Sequence, residues 1–172
     1  IYAPDNLMEY VKVKVDGGML KVSFQSKEKS KGINIKGKHE TEVRVSAPAI
    51  HSLQASSSGD IILKNGLQYA GEVSLKSSSS GDIKGGKISC DALEIEASSS
   101  GDIELGNVEC TSLTTESSSA GDVSIESLKA ETVIVEATSS GDVSIAGVCR
   151  SAKFEASSAG DIEADELKAE KV

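Results

Sequence analysis

Ser99-Ser100-Gly101-Asp102-Ile103-Glu104-Leu105 is one of six copies of a phrase that recurs along this chain. Its core stands at Ser57-Ser58-Gly59-Asp60, Ser79-Ser80-Gly81-Asp82, Ser99-Ser100-Gly101-Asp102, Ser119-Ala120-Gly121-Asp122, Ser139-Ser140-Gly141-Asp142 and Ser158-Ala159-Gly160-Asp161. The glycines are separated by 22, 20, 20, 20 and 19 residues. Six copies at a nearly constant period mean a repeat architecture, in which one supersecondary unit stacks on the next.

Working outward from the glycine gives the unit. Two residues after it stand Ile61, Ile83, Ile103, Val123, Val143 and Ile162. Four after it stand Leu63, Gly85, Leu105, Ile125, Ile145 and Ala164, with mostly polar residues between. This period-two alternation predicts a short strand with one buried face. Seven residues after the glycine comes a second apolar position, Ile88, Val108, Leu128, Val148 and Leu167, which the first coil places one residue late at Leu67. A further strand precedes each next Ser-rich stretch: Val73-x-Leu75, Leu93-x-Ile95, Leu113-x-Thr115, Val133-x-Val135 and Ala152-x-Phe154. A period of this length is too short for a βαβ unit of ~30 residues. No 3.6-residue pattern supports a helical repeat. Parallel crossovers are right-handed in nearly all cases. The expected fold is therefore all-β, a right-handed parallel β-helix over 46–172, with residues 1–45 as an irregular N-terminal cap of the same domain.

The corner carries its own expectations. Four residues before each glycine the occupant is small: Ala55, Ser77, Ala97, Ser117, Ala137 and Ala156. Two before it is always Ser. Both positions continue the parity of the buried face, and Gly is expected to supply a backbone angle that a side chain forbids. Upstream, Val11-x-Val13-x-Val15 and Leu20-x-Val22-x-Phe24 flank Asp16-Gly17-Gly18, which reads as a tight turn between strands. Val43-x-Val45 and Leu53 resemble one degenerate coil. The lysine-rich residues 26–41 read as an exposed loop.

Composition excludes several classes. A net charge of −9 over 172 residues argues against a nucleic-acid backbone as ligand. No apolar run approaches the 18 residues of a membrane span. Aromatics are 3% with no Trp, which removes the usual stacking platforms for sugars and bases. Cys90, Cys110 and Cys149 form no CxxC, and His39 and His51 are the only histidines, so no zinc site and no cofactor is expected. The chain opens on Ile1 without a signal peptide, so any targeting segment is expected to have been removed.

Three features could carry chemistry. Asp60, Asp82, Asp102, Asp122, Asp142 and Asp161 should line one corner, ~4.8 Å apart. They read either as acceptors for turn N–H groups and Ser hydroxyls, as a calcium row, or as a source of paired carboxylates for a polysaccharide hydrolase or lyase. Because the copies are interchangeable, no catalytic residue is assigned and no enzyme is expected. Glu96, Glu116, Glu136 and Glu155, following Lys76, form an outward ladder: a solvated face, or a stripe that binds a cation or a partner. Cys90 and Cys110 share one repeat position with Ala130, as stacked buried thiols. The C-terminal residues 165–172 lie midway through a coil, which predicts fraying there or self-association through the solenoid ends.

The repeated [Ser/Ala]-Gly-Asp-[Ile/Val]-x-[Leu/Ile] units, preceded by Asp16-Gly17-Gly18-x-Leu20-x-Val22, resemble the putative auto-transporter adhesin, head GIN domain family. The resemblance covers nearly the whole chain, above all residues 11–24 and 42–170, and Gly32-Ile33-Asn34 spells the family's motif letters. It implies a β-helical domain of an exported bacterial protein, frequent in Bacteroides-like organisms. Such a protein is periplasmic, outer-membrane-associated or on the cell surface. The expected function is a non-enzymatic adhesin or structural stalk binding an unknown surface glycan or protein. The alternative is a polysaccharide-binding or polysaccharide-cleaving β-helix.

Overall fold

Asp16-Gly17-Gly18-Met19 turns the chain back on itself near its start. Gly17 and Gly18 both take positive φ, +54° and +82°, as a two-residue type I′ hairpin turn requires. The computed structural model describes residues 1–25 and 41–172 and divides the chain into two units, Ile1–Ala47 and Pro48–Val172. In the first, a one-turn helix α1 (Asp5–Met8) precedes an antiparallel hairpin of β1 (Val11–Asp16) and β2 (Met19–Phe24). Tyr10 stacks on Phe24 at 6.3 Å, and Tyr2 pairs with Glu42. The loop expected at 26–41 and Gly32-Ile33-Asn34 lie outside the described residues, apart from Thr41. Val43-x-Val45 forms no strand and Val45 is exposed, which corrects the reading of a degenerate coil there. The neighbouring backbone at Glu42 is committed to Tyr2 instead.

The second unit is a β-solenoid of about six turns. Its first turns contain β3 (Ser52–Ala55), β4 (Ile61–Leu63), β5 (Leu67–Gln68), β6 (Glu72–Ser77) and β7 (Ile83–Ser89). There follow β8 (Ala92–Ser99), β9 (Ile103–Glu109), β10 (Ser112–Ser119), β11 (Val123–Ser139), β12 (Val143–Ser158), β13 (Ile162–Glu163) and β14 (Leu167–Lys171). All pairings in this unit are parallel. Strands before a corner pair with strands before the next corner, as Leu75 with Ile95 and Ile95 with Thr115. Strands after a corner do the same, as Ile83 with Ile103 and Ile103 with Val123.

In-register pairing stacks like on like, so the core is a set of columns rather than a knot of side chains. Leu75, Ile95, Thr115 and Val135 form one column, and Ile83, Ile103, Val123 and Val143 another, each residue essentially inaccessible. Each such aliphatic side chain contributes about 1.5–3 kcal/mol by leaving water. At the ends the columns thin: Leu53, Ile61 and Leu63 in the first rung, and Phe154, Ile162 and Leu167 toward the last, are only half-buried.

One buried position differs from expectation. Val148 is 48% exposed, and Gly147 takes its place in the column between Leu128 and Leu167. The 19-residue coil is one residue short between Ile145 and Gly147, so the register shifts there. Gly147 has φ +134°, and a Cβ on it would collide with the Leu128 carbonyl.

Candidate functional site

Each corner is a tight turn closed by one hydrogen bond, Gly101 N–H to the Ser98 carbonyl at 3.2 Å and its equivalents in the other five copies. The second residue of the turn is the Ser two before the glycine. Ser57, Ser79, Ser99, Ser119, Ser139 and Ser158 have φ of 64–66°, and all six are exposed. This reverses two expectations. The Ser is not on the buried face, and it, not the glycine, adopts the left-handed angle. The glycine is needed for a different reason. A Cβ on Gly101 would sit 2.8 Å from Ser78 N and 2.9 Å from the Gly81 carbonyl, and Gly81, Gly121, Gly141 and Gly160 are equally close to the preceding rung. Main chain packs on main chain at this corner, and only Gly fits. The small residues four before the glycine are buried as expected from Ala55 to Ala137, while Ala156, near the end, is exposed.

The six aspartates stand in one row, and each carboxylate faces the next rung. Asp82 N–H donates to Asp60 Oδ1 at 3.2 Å, Asp102 to Asp82 at 3.2 Å, and Asp122 to Asp102 at 3.0 Å. Asp142 donates to Asp122 and Asp161 to Asp142, both at 3.1 Å. The carboxylates therefore accept from the following rung rather than from their own turn or from Ser hydroxyls. The ladder offsets like-charge repulsion that would otherwise disfavour the stack. Burial lifts the Asp102 carboxyl above the usual range, and the charges of Asp122, Asp82 and Glu104 add to the effect against the hydrogen bond from Asp122. Among the described residues no group of three or more carboxylates, thiols and imidazoles is arranged to hold a metal ion.

Asp102 lies at the margin of a shallow hollow of about 600 Å³ on the outer face of β7 and β9. Gly85, Gly86 and Gly106 floor it, where other rungs carry side chains. Asp122, Glu104 and Glu126 supply further carboxylates, and Lys84 crosses it to Glu104 at 2.8 Å. The hollow was not anticipated. Its sequence signal is the pair Gly86 and Gly106, five residues after their corner glycines, where Lys64 and Glu126 stand in other rungs.

The glutamate ladder is where the sequence placed it. Lys76, Glu96, Glu116, Glu136 and Glu155 occupy one outward column across five strands. Lys76 bonds Glu96 at 2.6 Å and Lys153 bonds Glu155 at 3.4 Å, while Glu116 and Glu136 have no ion pair among the described residues. Residues 48–172 hold nine Lys/Arg against 21 Asp/Glu, a net −12, and residues 1–47 hold nine against six, a net +3. The solenoid is thus the acidic part of the chain.

The cysteine column is longer than expected. Ala130 pairs with Cys149, because the register shift brings Cys149 inward. All three thiols are free. Burial raises the Cys90 thiol to about 11 and the Cys110 thiol to about 12, and raises Cys149 as well, so none is a ready nucleophile. His51 and Tyr69 stack at 5.5 Å in the first rung. No helix among the described residues is long and apolar enough to cross a membrane.

No curated protein and no solved structure matches the chain. A family match does exist, in two overlapping segments, residues 1–145 and 106–172, which together span the whole sequence. The chain therefore belongs to the family described as putative auto-transporter adhesin, head GIN domain.

Proposed function

We propose that this chain is a non-enzymatic adhesive or stalk-forming β-solenoid of the bacterial envelope or cell surface. Its contact surface is the outward column of Glu96, Glu116, Glu136 and Glu155. The observation that carries the reading is this in-register column, in which Glu116 and Glu136 face solvent with no ion pair among the described residues. Repetition at the strand spacing of ~4.8 Å suits a partner that is itself extended and repetitive, such as a glycan chain or a basic protein surface. The absence of catalysis rests on the aspartate row, where the carboxylates of Asp60, Asp82, Asp102, Asp122 and Asp142 each spend one oxygen on the next rung.

A second reading, polysaccharide binding, draws on the glycine-floored hollow. There Asp102, Glu104 and Asp122 offer acceptors to hydroxyl groups. One binding experiment separates the two. The immobilised chain is exposed to a glycan panel and to polylysine, beside the double variant Glu116→Gln/Glu136→Gln and the single variant Asp102→Asn. The stripe reading expects binding to fall at least tenfold in the double variant and to survive in Asp102→Asn. Loss in Asp102→Asn alone would move the site to the hollow. Release of new reducing ends or unsaturated sugars that disappears in Asp102→Asn but persists in Asp82→Asn would overturn the non-enzymatic reading.

A further inference from the structure

Two free thiols occupy the same place in neighbouring interior rungs. Cys90 and Cys110 follow directly on Ser89 and Glu109, which pair in register between β7 and β9. Cys90 N–H donates to the Glu109 carbonyl and Cys110 N–H to the Lys129 carbonyl, both at 3.1 Å, so the parallel ladder runs on through both residues. Their Cα atoms are therefore one rung apart, ~4.8 Å. Both side chains border one open hollow of about 310 Å³, whose rim carries Glu109, Lys129 and Glu131. Cys110 is only 8% exposed and Cys90 is half-buried, so the hollow is the way in to the pair.

The stacking decides which chemistry fits. Stacked residues of a parallel ladder point their Cβ atoms the same way, which holds the two sulfurs about a rung apart rather than at the ~2.05 Å of a disulfide. A gap of about 4–5 Å is what one ion needs to hold a sulfur on either side, at metal–sulfur bonds of about 2.3 Å. No third ligand joins them, because no group of three or more such side chains exists among the described residues. The next place in the column is Ala130, which pairs with Cys149 and leaves that thiol two rungs beyond Cys110, about 10 Å away. Zinc requires four ligands and calcium requires six or more oxygens, so neither is served. Soft monovalent ions prefer thiolates and accept low coordination.

We propose that Cys90 and Cys110 form a two-coordinate site for a soft monovalent ion, of which cuprous copper is the type. On binding, each thiol releases its proton to water and each sulfur forms one bond to the ion; no electron is transferred. The site lies apart from the glutamate column and does not rest on the adhesive reading.

The test is an anaerobic titration of the reduced, intact chain with cuprous ion against a colorimetric chelator, beside Cys90→Ala, Cys110→Ala and Cys149→Ala. Alanine already stands in this column at Ala130, so the variants keep the fold, which a melting curve checks. The wild type should take one ion per chain, with two sulfur neighbours by X-ray absorption. Cys90→Ala and Cys110→Ala should each weaken binding at least 100-fold, and Cys149→Ala should leave it unchanged. Equal affinity in the wild type and the Cys90 and Cys110 variants would overturn the proposal, as would an equal loss in Cys149→Ala. A shell of three or four sulfurs, or a Cys90–Cys110 disulfide in the native chain, would overturn it as well.

Discussion

The Ser-Gly-Asp corner and the far side of the same rungs follow different rules. At the corner, six copies share one turn, one serine angle and one carboxylate ladder. On the far side the first coil gains a residue between Leu63 and Leu67 and another before Glu72, and the fifth coil loses one between Ile145 and Gly147. Every change of period falls there. The corner is tight in every inner rung, whereas the far side is tight at Gly66, Gly106 and Gly147 and open at Gly86. A Cβ at Gly121 would lie 2.7 Å from Ser98 N, whereas a Cβ at Gly86 would meet nothing within 4 Å. At the corner the main chains touch in every inner rung and no side chain fits; on the far side such contacts are made by single glycines, and the register slips beside Gly147. The most repeated letters of this chain mark that contact; they do not by themselves mark a ligand.

The contrast can be broken by moving the same methyl group between the two sides. Gly121→Ala should lower stability by about 1–3 kcal/mol, because the backbone of the preceding rung must shift to admit it. Gly86→Ala should be neutral, or stabilising by up to about 1 kcal/mol through the unfolded chain. Equal losses in a denaturant titration would show that the corner is no tighter than the rest.

A smaller effect sharpens the account of the columns. Thr115 is fully buried, and its hydroxyl has no hydrogen-bond partner among the described residues, unlike that of Ser117, which donates to the Gly121 carbonyl. Its stacked neighbours are Ile95 and Val135. Thr115→Val keeps the shape and removes an unsatisfied group, so it should stabilise by about 1 kcal/mol. A loss of stability would mean that the hydroxyl is satisfied in solution.

Much of this fold was legible because a repeat states each structural rule six times. Inward and outward parity, the outward glutamates and the Cys90–Cys110 alignment all follow from counting residues from the glycine. What counting could not reveal was which atoms the rungs share. Nothing in Ser-Ser-Gly-Asp distinguishes a glycine kept for its angle from one kept for its missing Cβ. The exposed serines continue the buried parity on paper, because a left-handed residue breaks alternation without changing the count. Val148 was misplaced for a similar reason: a one-residue deletion moves the frame, and the shift is absorbed by Gly147 before the next strand. The hollow beside Asp102 escaped notice because it is made of absences, three glycines on neighbouring strands.

The claim that the aspartate row serves as a hydrogen-bond ladder is tested most directly at Asp102, by thermal melting of the wild type, Asp102→Asn and Asp102→Ala with and without calcium. Asparagine keeps an acceptor for the Asp122 N–H and removes a charge that burial and its neighbours disfavour. Because the folded-state pKa is raised, the folded protein binds this proton more tightly than the unfolded chain. Wild-type stability from this group therefore rises as pH falls from the raised pKa toward the ordinary 3.8. At neutral pH, Asp102→Asn should match or exceed the wild type, with its advantage fading on acidification through that window. Asp102→Ala should lose about 1 kcal/mol by leaving the N–H without its acceptor. Calcium should change none of the three. Equal destabilisation by Asn and Ala at neutral pH, or a wild-type melting temperature raised several degrees by calcium, would contradict the ladder and make the charge itself the purpose of the row.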